Sequence, residues 1–80
     1  MSNAQVFSNV KYATAPALVA GTIVVNDPAV NANSNILMTL KTAGGTVAPV
    51  TVSAIGAGSF TILSTSNANT SVYNYLVLNA

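Results

Sequence analysis

Residues 58–64 read "GSFTILS", which sets Phe60 and Ile62 on one side and Ser59 and Thr61 on the other. That two-residue period belongs to a strand with one buried face. Val50, Val52 and Ala54 alternate with Thr51 and Ser53 in the same way. Alanine aside, the apolar positions are mainly valine, isoleucine and leucine, with threonine and serine between them, as strands prefer. The pattern predicts strands over 6–12, 18–26, 35–42, 47–55, 59–65 and 72–79. No segment sustains a helical period with caps.

Breaks in the pattern agree. Asp27-Pro28, Gly44-Gly45, Pro49 and Gly56-Ala57-Gly58 interrupt the chain about every 8 to 15 residues, the spacing of a sandwich or small barrel. Gly44-Gly45, between "ILMTLK" and "TVAPVTV", reads as a hairpin turn, because glycine accepts the positive φ such turns require. Pro49 marks an edge strand or a strand start, since proline donates nothing to a ladder. The expected fold is all-β, a small antiparallel β-sandwich or barrel of about six strands. Residues 1–17 are expected as an N-terminal arm or first edge strand, and 18–80 as the body of a single domain.

One polar triplet occurs twice, as Asn31-Ala32-Asn33 and Asn67-Ala68-Asn69. Each follows a glycine and a strand ("TIVVN" after Gly21, "SFTIL" after Gly58) and precedes another strand. This reads as one hairpin-like unit used twice, about 36 residues apart.

Both faces of the later strands are apolar. Ile36, Met38 and Leu40 share a face with Leu37 opposite; Tyr73, Tyr75 and Val77 share a face with Leu76 and Leu78 opposite. A free-standing antiparallel sheet keeps one face wet, so the second face calls for cover, which in so small a chain means another subunit. Ile36, Met38, Tyr73, Tyr75, Leu76 and Leu78 are the candidate contact residues.

Composition sharpens this. Lys11, Asp27 and Lys41 are the only charged side chains, 4% of 80 residues, where about 25% is usual. Without cysteine or histidine, disulfides and the common transition-metal ligands are excluded. Small domains lacking those supports turn to oligomerisation. Nucleic acid is not an expected partner, because no basic patch exists to neutralise phosphates. At 51% hydrophobic with net charge +1, the chain is expected to fold rather than stay disordered. The longest apolar stretch, Ala13 to Val25, is interrupted by Thr14, Pro16, Gly21 and Thr22 and is too short to span a membrane. The first ten residues carry no lysine or arginine, unlike a signal peptide.

Candidate chemistry is sparse. A paired-carboxylate mechanism needs two acids, and the serines lack an imidazole to activate them; no enzyme and no cofactor are expected. Lys11 and Lys41 read as solvated charges. Asp27-Pro28 reads as a turn starter rather than a calcium ligand. Asn69-Thr70-Ser71 matches the glycosylation pattern, a short match frequent by chance. Tyr12, Tyr73 and Tyr75 could form a sugar-stacking surface, but tyrosines more often fill a core edge or interface, which is the expectation for these three. The asparagine triplets read as turn formers.

"AGTIVVN" at 20–26, "NSNILMTL" at 33–40 and "VSAIGAGSFTILSTSNANTSVYNYLVLN" at 52–79 resemble a small β-rich domain of tailed-bacteriophage virion proteins. The chain lacks the arginine of that domain's middle strands. The resemblance implies a structural module, commonly trimeric, on the virion. The reading that follows is a capsid decoration (cement) protein on the capsid surface, with copies of itself and the major capsid protein as partners. The alternatives are a receptor- or glycan-binding tip domain of a phage fibre, and a self-assembling fibre or surface-layer subunit in which "LVAGTIVV" pairs at a sheet edge.

Overall fold

A computed structural model describes residues 10–79. Six antiparallel strands form two three-stranded sheets: β1 (Val10–Thr14), β2 (Thr22–Asn26), β3 (Asn35–Thr42), β4 (Val50–Gly56), β5 (Ser59–Ser64) and β6 (Val72–Leu78). Sheet A has the order β1-β6-β3 and sheet B the order β2-β5-β4. The fold is the expected all-β sandwich. Of the segment expected as an arm or edge strand, residues 10–14 form β1 at the edge of sheet A and Ala15 is buried; residues 1–9 lie outside the described residues.

The core lies between the sheets. Sheet B supplies Val25, Phe60 and Ile62, and sheet A supplies Tyr73, Tyr75 and Val77, all buried. The alternation of "GSFTILS" is realised with Phe60 and Ile62 inward. The Phe60 and Tyr75 rings meet edge to face, centroids 5.0 Å apart and planes at 71°, the geometry favoured by aromatic quadrupoles. Burying a side chain of this size contributes about 1.5–3 kcal/mol, and Leu18 and Val30, buried outside the strands, join the same cluster.

Three local expectations need correction. Gly44-Gly45 does not turn a hairpin: β3 pairs with β6 and β4 with β5, so the glycines carry the chain from one sheet to the other. The hairpin lies at Ala57-Gly58, between β4 and β5. The strand expected over 18–26 begins only at Thr22. Ala20 and Gly21 both have positive φ, 52° and 81°, and Val19 and Thr22 exchange backbone hydrogen bonds across them, as in a primed two-residue turn. In β4, the register shifts between Val52 and Ala54. This bulge ends the Val50, Val52, Ala54 alternation and brings Ile55, rather than Ala54, over the core opposite Phe60. Pro49 immediately precedes β4, an edge strand, so both of its expected roles hold.

The strand-turn-strand unit is not a hairpin. In each unit the two strands lie in different sheets, and unit pairs with unit: β2 with β5, and β3 with β6. Val24 faces Thr61 and Met38 faces Tyr75. Both pairs are separated by the same 37 positions, as when an approximate two-fold axis relates the units and passes through both sheets.

Candidate functional site

Two polar clusters are buried. The first centres on Asp27, only 2% exposed at the end of β2. Its Oδ1 accepts from the Ala29 N–H at 2.9 Å, closing the Asx turn expected at Asp27-Pro28. The same oxygen accepts from Lys11 Nζ of β1 at 2.9 Å. Oδ2 accepts from the Tyr75 hydroxyl of β6 at 2.5 Å. Lys11 is therefore not the free solvated charge expected: it is paired, though its side chain stays half exposed. Burial by itself raises the Asp27 pKa, but the hydrogen bonds from Tyr75, Ala29 and Lys11 outweigh it and hold the carboxyl below its usual value. Burial, then the hydrogen bond to Asp27 and its negative charge, push Tyr75 up to about 12. The cluster pins sheet A to the end of β2 and spends the carboxylate on structure.

The second cluster centres on Asn69, 0% exposed. Its Oδ1 accepts from the Ser71 N–H at 3.0 Å, and its Nδ2 donates to Ser64 Oγ at 3.1 Å and Tyr73 Oη at 3.3 Å. Neighbouring bonds draw in the crossover after β3: Thr46 N–H donates to Ala68 O and Thr70 N–H to Gly44 O. The first triplet has the opposite environment. Asn31 closes an exposed Asx turn by accepting from the Asn33 N–H at 2.8 Å, and Asn33 is exposed. Both triplets shape backbone, but only the second buries an asparagine, Asn69, while its Asn67 and Ala68 are exposed. Asn69 in this fold offers no accessible amide to a glycan, which removes the glycosylation reading.

The candidate contact residues divide by face. Tyr73 and Tyr75 are consumed in the chain's own core, and Ile36 and Met38 pack against it, partly buried. Leu76 and Leu78, half-buried, belong to the opposite, outer face of sheet A. Tyr12 also lies there, since it pairs with Leu76 and directly opposed residues share a face. The three tyrosines therefore cannot form one stacking surface.

Sequence reasoning named Leu76 and noted Leu37 on the opposite face, but did not bring them together with Tyr12 as the central row of that outer face. Tyr12, Leu76 and Leu37 stand side by side across β1, β6 and β3, with Tyr12 65% and Leu37 54% exposed. Val10, Leu78 and Asn35 form the next row on one side, and Thr14, Asn74 and Thr39 the next on the other. Leu37 was legible as an apolar residue on the wrong side of its strand; Tyr12 was not, because its register depends on a partner distant in sequence. The outer face of sheet B is wetter. Its rows run Thr22, Leu63, Thr51 and Val24, Thr61, Ala54. Among the described residues, no pocket forms and no group of acids could hold a metal ion.

These features define a β-sandwich module whose distinctive surface is an exposed, partly apolar sheet face. Residues 11–78 match the family described as the K1 capsule-specific polysaccharide lyase, C-terminal domain. The chain belongs to that family. The match agrees with a phage structural domain of the tail-fibre kind, and does not single out capsid decoration. No curated protein matches the chain, and no solved structure does.

Proposed function

We propose that this chain is a non-catalytic structural domain of a phage virion protein of the tail-fibre type, which associates with copies of itself. The observation that supports it is the family match along residues 11–78. The family's description names a polysaccharide lyase, and the part matched is its C-terminal domain. Elimination needs a positioned base and acid, and the residues here suit that poorly. Asp27 is buried and triply hydrogen-bonded, and Lys11 is paired with it. Tyr12 and Lys41, the remaining exposed titratable side chains of the strands, sit on opposite edges of sheet A with β6 between them. Strand spacing and rise put them roughly 16 Å apart, too far to serve one proton transfer. A role beside polysaccharide chemistry, holding or presenting a neighbouring unit, fits better than a role in it.

Attachment to the capsid as a cement protein, with the major capsid protein as partner, is the competing location. Gold-labelled antibody against this chain on intact phage particles separates the two. Label at the tail fibres supports the proposal, label over the head moves the domain to the capsid, and particles free of label overturn the virion assignment. Unsaturated sugar released from capsule polysaccharide by the purified chain overturns the non-catalytic reading.

A second reading, a glycan-binding fibre tip, has one observation in its favour. The Tyr12 ring is exposed beside Thr14 and Asn74, whose side chains already bond each other at 2.7 Å. Retention of the chain on immobilised capsule polysaccharide, lost in Tyr12→Ala, would support it.

A further inference from the structure

We propose that the outer face of sheet A is the surface on which a second copy of this chain seats; this rests on the structural reading above and names its contact. The face carries Val10, Tyr12, Leu37, Leu76 and Leu78 in two adjacent rows. A polar row, Thr14, Asn74 and Thr39, lies to one side. Tyr12 and Leu37 are more than half exposed in the single chain.

The occupant follows from charge. When a face meets its own copy, every group is set against a surface of the same composition, so a charged face repels itself and loses hydration without gaining an opposite partner. No charged side chain lies in these three rows: Lys11, the one charge on β1, pairs with Val77 on the opposite side of the sheet and reaches Asp27. Lys41 stands at the far end of β3, beside the irregularity between Leu40 and Thr42. A basic or acidic partner would have nothing to address.

The arrangement of the rows also suits a self-contact. Among the described residues, the apolar side chains gather in the Tyr12, Leu76 and Leu37 row and at Val10 and Leu78 beside it. Asn35 stands at the edge of that second row, and polar Thr14, Asn74 and Thr39 lie on the opposite flank. A copy turned over the face sets apolar rows on apolar rows and leaves both polar rows at the rim, the order found in specific interfaces. Face-to-face sheet packing offers a regular way to do so. The outer face of sheet B interleaves threonine with Val24 and Leu63 and is already suited to water.

Light scattering on the whole chain at high micromolar concentration, with a folding check by thermal unfolding, tests this with three variants. Leu37→Lys and Tyr12→Lys place a charge on the two edge strands of the face; Leu63→Lys places one at a comparably exposed site on sheet B. Wild type and Leu63→Lys are expected to share an oligomeric mass, and the two sheet A variants to fall to the 8.0 kDa of one chain. If either sheet A variant unfolds, the other carries the test. Unchanged mass in the folded sheet A variants, equal loss in Leu63→Lys, or a monomeric wild type overturns the proposal. Retained mass in the sheet A variants rejects this face and leaves the virion assignment standing, while unlabelled particles reject that assignment and leave the face standing.

Discussion

The Tyr75 hydroxyl donates to Oδ2 of Asp27 across 48 positions of sequence, and so ties the central strand of sheet A to the end of an edge strand of sheet B. Asp27 is the chain's only acidic side chain, and the fold places it where three donors converge. In a domain with so small a core, this contact ought to dominate how stability responds to pH.

The direction follows from the two shifts. The fold favours ionised Asp27, whose ordinary value is 3.8, so its contribution is present above that value and lost as pH falls through and below it. The fold favours neutral Tyr75, raised from 10.0 to about 12, so that contribution is whole below 10.0 and lost as pH rises toward about 12. Denaturant midpoints measured across pH should form a plateau with an acidic and an alkaline limb. The acidic limb should flatten in Asp27→Asn; an unchanged limb in that variant would place the acid sensitivity elsewhere.

The two triplets, alike in sequence, should respond differently to truncation. Asn69→Ala strands the buried Ser71 N–H and removes a donor to Ser64 and Tyr73, a loss of about 1–3 kcal/mol. Asn33 is exposed, and its replacement by alanine should stay within about 0.5 kcal/mol. Equal effects in equilibrium unfolding would contradict the assignment of Asn69 as the buried centre.

Gly45 and Gly58 both have positive φ, 59° and 83°, yet only one is crowded. A Cβ on Gly45 would stand 2.0 Å from the carbonyl oxygen of Ala68, whereas nothing lies within 4 Å of one on Gly58. Gly58→Ala should cost about 1–2 kcal/mol from backbone conformation alone. Gly45→Ala should cost well beyond that, because the crossover must leave the 67–71 turn. Comparable losses for both would show that the crossover is not seated against that turn.

Ala20 offers the converse case. It holds φ of 52° ahead of Gly21, a conformation costing a residue with a Cβ about 1–2 kcal/mol. Ala20→Asn creates the Asn-Gly pair that primed turns prefer, and should raise stability by about 0.5–1 kcal/mol. A decrease in the unfolding midpoint would contradict the turn geometry.

Strand positions were legible where side chains alternate over an uninterrupted pleat. β5 shows this in Phe60 and Ile62, and β3 falls at the residues expected. Pairing was not legible. Gly44-Gly45 carries a local hairpin signal, yet β3 and β4 part because each finds a longer-range partner. The β4 bulge leaves no glycine or proline at Ser53 to announce it. Asp27 could be read as a turn former from Pro28 beside it, but not as the buried acid, since Lys11 and Tyr75 arrive from other strands. The exposed row through Tyr12 and Leu37 was half visible, because Leu37 breaks the pattern of its own strand while Tyr12 acquires its place only through pairing with Leu76.

The central claim is that this domain works as an assembly of its own copies, and the solution mass of the unaltered chain tests it most directly. Light scattering across a concentration series at neutral pH should give a multiple of the 8.0 kDa chain, two-fold if the turned-over sheet A contact forms, since such a contact closes at two copies. A three-fold mass, the trimer implied by the resemblance, would keep the assembly but reject that turned-over arrangement. A constant 8.0 kDa at every concentration would contradict the account.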